Sequence, residues 1–238
     1  LSEAFRLQAE LALYQGNLDN ALKPYRRAIA QAGDNELRAR WQTDLASILF
    51  RRGNFEAAAR EFNRVSEYSP DILASFESQL YLGSSLVQLG QYDAADNIFT
   101  ELERNSNYDE WEGYVEAERL TMMRLQQRDN DLLLAEQHAD TAYIGNPSVG
   151  AAMYGHGLEL FKKGKYTEAR KYFAKSKVVR SPVHQIAGKY FSLLNAWEEK
   201  INFVSPLLPT VKSGTAPDSL RAIAAASLFE IGRIHEQL

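Results

Sequence analysis

Four histidines, His138, His156, His184 and His235, are the side chains best suited to metal or proton chemistry in this chain. A neutral imidazole ligates metals, and its charge changes near neutral pH. None of the four belongs to a His-Glu-x-x-His pair, the spacing that gathers two ligands and a general base around one zinc ion. No two lie three or four residues apart on one helix face, so each reads as a structural histidine. Gly155-His156-Gly157 lacks the third glycine and the preceding strand of a dinucleotide fingerprint. Gly164-Lys165-Tyr166 lacks the upstream glycine and the hydroxyl residue of a phosphate loop. Glu116 and Glu118, two apart, face different sides of a helix and cannot share a proton. Arg26-Arg27 and Arg51-Arg52 read as solvated helix ends. No constellation meets the geometric requirements of a catalytic site. The expectation is a non-enzymatic chain with no catalytic residue, no cofactor and no metal.

What must position any functional residue is the framework around them. At 238 residues, with 45% hydrophobic and 24% charged side chains, the chain has an ordinary globular composition. A formal charge of −4, from 27 basic and 31 acidic residues, leaves no electrostatic footprint for nucleic acid. The absence of cysteine rules out disulfides, thiolate catalysis and Cys-ligated zinc. No apolar run approaches the ~20 residues that a membrane-spanning helix needs. The chain opens Leu1-Ser2-Glu3 without an initiator Met or a signal peptide, and reads as a fragment or a mature form.

One stretch recurs. In Tyr81–Phe99, Leu82, Leu86 and Leu89 repeat at helical spacing before Gly90, and Tyr92, Ala95 and Phe99 do so after it. Gly90 suits the left-handed conformation that ends a helix. Gly83 and Ala95 are small enough to let two helix backbones approach. The same order appears around Gly53 (Leu45, Ala46, Leu49, then Phe55, Ala58, Phe62 and Pro70), and around Gly16 and Gly164. A weaker copy has Asn130 at its turn, since Asn is the next residue most tolerant of the left-handed region. The anchors at 16, 53, 90, 130 and 164 are spaced 37, 37, 40 and 34 residues apart.

This pattern of Leu-Gly, Tyr, Ala, Phe and Pro resembles the tetratricopeptide repeat, a helix–turn–helix unit. The resemblance implies an all-α, right-handed α-solenoid of stacked repeats, with about thirteen helices. The chain divides into repeats at about 2–35, 39–72, 76–109, 116–149 and 150–183, a degenerate repeat at 184–217 and a terminal helix at 218–238, all in a single solenoid. The terminal helix resembles the first helix of a truncated repeat or a lone cap, and should dock through Ile223, Leu228 and Ile231. His156 replaces the repeat's usual Leu and should be half-buried.

In this family, positions on each first helix line a concave groove. Carried over, they assign to protein binding Phe50, Arg51, Val87, Arg124, Arg128, Tyr154, Leu158, Phe161 and Lys162. Tyr154 and Phe161 suit packing between helices as well as they suit a groove. The implied partner is a protein or peptide segment carrying acidic and apolar residues. Arg6, Glu10, Asp44, Glu77 and Tyr81 stand where relatives that hold chaperone tails carry Lys, Asn and Arg, and their acids would repel a terminal carboxylate. The alternative function is a structural module that stacks on itself or on adjoining parts of a longer chain. Location is open; such repeats are common in bacterial cell-envelope assembly factors, which is analogy alone.

Overall fold

The computed structural model describes residues 1–237. The helices are α1 (Ser2–Tyr14), α2 (Leu18–Gln31), α3 (Asn35–Arg51), α4 (Phe55–Asn63), α5 (Ile72–Gln88), α6 (Tyr92–Arg104), α7 (Glu112–Leu125), α8 (Asp129–Ala142), α9 (Pro147–Lys162), α10 (Tyr166–Ser176), α11 (His184–Val204), α12 (Leu208–Lys212) and α13 (Asp218–Gln237). All but the short α12 run nine residues or more, and no strand occurs among the described residues. Many helix starts are capped by short polar side chains, as unpaired N–H groups there require. Asp34 accepts from Glu36 N–H at 2.9 Å, Asp71 from Ala74 N–H at 2.7 Å, and Asn146 from Ser148 N–H at 2.9 Å.

The turns share one backbone. Gly16, Gly53, Gly90, Gln127 and Gly164 hold φ of 75°, 75°, 73°, 58° and 74°, each 37 residues after the last. At Gly90 the N–H donates to the Val87 carbonyl at 3.0 Å and the next N–H to Leu86 at 2.9 Å. At Gln127 the equivalent bonds run to Arg124 at 3.1 Å and Met123 at 3.0 Å. This corrects the placement of the fourth turn at Asn130, which lies inside α8. Asn tolerates the conformation better than Gln, but the register of the buried face decides. Ala21, Ala58, Ala95 and Ala169, five residues past their turns, are 0% exposed, and Leu132, five past Gln127, is also buried.

The chain forms two compact units, residues 1–122 and 123–238, with the boundary inside α7. In unit 1, α1 pairs with α2, α3 with α4 and α5 with α6, while α2 packs on α3 and α4 on α5. In unit 2, α9 pairs with α10, α10 packs on α11, and α11 pairs with α13. Small residues set the helix crossings. A Cβ on Gly83 would lie 2.5 Å from Phe99 Cε1, so the ring fits only because the Cβ is missing. Nine residues past four of the turns stand Tyr25, Phe62, Phe99 and Phe173, all buried. Each such side chain contributes roughly 1.5–3 kcal/mol by leaving water.

The last helix docks differently from expectation. α13 lies beside α11, with Lys200 paired to Glu230. Its buried residues are Ala224 and Ser227, with Ile231 half-buried as expected, while Ile223 and Leu228 are 47% and 45% exposed. Small residues win the contact face because they allow the closest backbone approach, as the alanines do at the other crossings.

Candidate functional site

The nine residues assigned to binding fall in both units, and each unit is described by itself. In unit 1, Phe50 is half-buried, with ring contacts to Phe55 at 5.3 Å and Tyr81 at 5.9 Å. Arg51 is exposed and has no ion pair among the described residues. Val87 is 1% exposed, inside the cluster that includes Ala95, Phe99 and Met122. It therefore presents no surface to a partner, which corrects its place in the set; its turn-proximal position faces the neighbouring helices.

In unit 2, Tyr154 and Phe161 are half-buried against Tyr190, at 6.4 and 5.4 Å between ring centres. Leu158 packs beside them. These side chains join α9 to α11. Arg124 Nη1 bonds Glu159 at 3.0 Å and Arg128 Nε bonds Asp131 at 2.9 Å, so both guanidiniums are already paired. Lys162 is exposed and unpaired among the described residues.

The first-helix face of unit 1 has a different character. α1, α3 and α5 bound a cavity of about 570 Å³ lined by Arg6, Arg40, Trp41, Asp44, Asp71 and Glu77, among others. Its two arginines are taken: Arg6 by Glu3 and Glu10, and Arg40 by Glu36 and Asp71. Asp44 and Glu77 have no ion pair among the described residues, nor does Glu118 on α7. Asp44 keeps solvent contact, yet the protein around it, and then the charges of Glu10 and Glu77, push its carboxyl up to about 6 against the pull of Arg6. Burial and then Asp71 raise Glu77; burial raises Glu118, opposed by a hydrogen bond with Ser84. Burial raises Tyr81 too, followed by Glu118 and Glu77.

Sequence models of the tetratricopeptide repeat match residues 6–72 and 120–182, and a second such model matches 77–106. The chain belongs to the tetratricopeptide repeat family. None of the curated proteins compared with it matches. Tetratricopeptide repeats generally serve as non-enzymatic protein–protein interaction modules, and the helix–turn–helix units of this chain have that architecture. Among the described residues, no group of three or more His, Asp or Glu side chains could hold a metal ion, and no helix is long and apolar enough to cross a membrane.

Charge separates the two units. Residues 1–122 carry 20 acidic and 12 basic side chains, net −8, whereas 123–238 carry 11 and 15, net +4. The whole-chain figure of −4 conceals this division. A second feature escaped the sequence reading altogether. Glu136, 3% exposed, accepts from Tyr172 Oη at 2.6 Å and lies 2.6 Å from His156 Nδ1. With the fourth turn set at Gln127, Glu136 falls nine residues on, where the other four repeats hold a buried aromatic. With the turn set at Asn130 that coincidence is invisible.

Proposed function

We propose that this tetratricopeptide repeat chain is a non-enzymatic protein-binding scaffold, and that the first-helix face of unit 1 receives a segment carrying Lys or Arg beside apolar residues. The observation that carries this reading is the unpaired Asp44 and Glu77 on a cavity whose arginines are already bonded. An incoming cation would offset the burial, and after it the like-charge repulsion, that hold those carboxyls above their usual range. Leu37 and Leu73 on the same cavity give the segment apolar contact, over a buried Trp41. The net charge of −8 on residues 1–122 supports the same sign of partner. The expected acidic segment is thus disfavoured on this face; of the four cations assigned to binding, Arg51 and Lys162, one in each unit, have no ion pair among the described residues. In unit 2, Tyr154, Leu158 and Phe161 remain binding candidates along their exposed edges, with Lys162 beside them.

Peptides matched in apolar content but differing in charge test the proposal by fluorescence anisotropy. Basic peptides should bind, acidic ones should not, and Asp44→Lys with Glu77→Lys should weaken the complex and slow association at low salt. Equal binding of acidic peptides, or indifference to both substitutions, would overturn the reading.

A stacking module is the second reading, favoured by α1. Leu7, Leu11 and Tyr14 are 56%, 57% and 90% exposed on it, although Ile48, the residue equivalent to Leu11 one repeat on, is 2% exposed. Sedimentation that changes with concentration, and ceases to do so in Leu7→Glu/Leu11→Glu, would favour that reading.

A further inference from the structure

The buried trio in unit 2 goes beyond partner binding. A carboxylate in the interior costs a great deal unless donors meet it. Glu136 on α8 meets two, Tyr172 Oη from α10 and His156 Nδ1 from α9, and the His156 and Tyr172 rings lie 4.3 Å apart. Burial, then the hydrogen bond to Glu136, raises the Tyr172 hydroxyl, so it remains a donor at neutral pH. Asp140 on α8 adds an ion pair to Lys175 on α10.

The position makes this unusual within the chain. Relative to their turns, Tyr25, Phe62, Phe99 and Phe173 occupy the place of Glu136, and all are buried. His156 stands eight residues before its turn, and Tyr172 eight after. At those two places the other repeats have Gln8 and Pro24, Leu45 and Glu61, Leu82 and Ile98, or Arg119 and Ala135. None supplies both donors. Arg119, the strongest donor among them, is bound to Asp96 and Glu103.

We propose that Glu136, His156 and Tyr172 act as a register key, which lets α8 dock on the α9–α10 hairpin and on no other. Repeats built on one 37-residue spacing present second helices of similar shape. Apolar burial is non-directional and discriminates poorly between them. A carboxylate that finds both donors at one junction, and falls short of them at every other, discriminates strongly. The key therefore acts against slipped stacking and against exchange of hairpins between two copies.

The test separates specificity from stability. His156→Leu and Tyr172→Phe should each lower the melting temperature by several degrees, because each leaves the buried carboxylate short of a donor. Glu136→Leu/His156→Leu/Tyr172→Phe should regain that loss, since an apolar replacement of a whole buried network is often neutral or better. Wild type and triple variant are then unfolded, refolded at high concentration and examined by size exclusion with light scattering. The triple variant should yield severalfold more mispaired or exchanged species than wild type. Should it fail to fold, Glu136→Gln, which keeps the shape and removes the charge, should give an intermediate yield of such species. The proposal is overturned if single substitutions leave the melting temperature unchanged. It is equally overturned if the triple variant, or Glu136→Gln in its place, refolds as faithfully as wild type.

Discussion

Gln127 holds a backbone conformation that glycine holds at the other four repeat turns, and holds it with a Cβ. The left-handed region costs an L side chain about 1–2 kcal/mol, so Gln127→Gly should stabilise the protein by about 1 kcal/mol. Asn130 is helical, so Asn130→Gly should lose up to about 1 kcal/mol. Chemical denaturation of the two variants decides where the turn lies: opposite signs are expected, and the reverse order would return the turn to Asn130. The difficulty of reading this turn from residue types has a physical basis. Glycine and asparagine advertise tolerance for the left-handed region, whereas a strained glutamine is imposed by packing on both sides and leaves no mark in composition. The polar trio was hidden for the same reason, because its meaning depends on counting from the correct turn.

At the scale of helices, periodicity carried most of the information. Ala58, Ala95 and Ala169 were legible as crossing residues because each follows its turn by the same interval, and each is 0% exposed. Val87 and the docking face of α13 were not, since apolarity alone does not say which side of a helix meets a neighbour. On α13, the contact goes to Ala224 and Ser227 while larger Ile223 and Leu228 stay half in water. Ala224→Leu should therefore overpack the α11–α13 contact and cost about 1–3 kcal/mol. Leu228→Ala should change stability little, because little area is lost. Thermal melts of the pair give the comparison, and a larger loss from Leu228→Ala would place the contact on the opposite face.

Across the whole chain, the division of charge has consequences that no single residue shows. Residues 1–122 are net −8, and three of their carboxyls, Asp44, Glu77 and Glu118, are raised in the folded state. A carboxyl raised by folding binds more protons folded than unfolded, so stability falls as pH rises through the interval between its two values. For Asp44 that interval runs from the usual carboxylate value, about 4, to about 6. Glu77 and Glu118 add slopes of the same sign. Wild-type stability should therefore decline over that window, and Asp44→Asn should flatten the decline and raise stability at neutral pH. A bound basic segment reverses the balance, because it favours the ionised carboxyls that folding disfavours. Its affinity should rise as pH increases through the same window, and the rise should shrink in Asp44→Asn and in high salt. Paired pH titrations of melting temperature and peptide affinity test both at once. If affinity stays flat while the melting temperature falls, Asp44 is titrating without touching the partner, and the segment binds elsewhere on the chain.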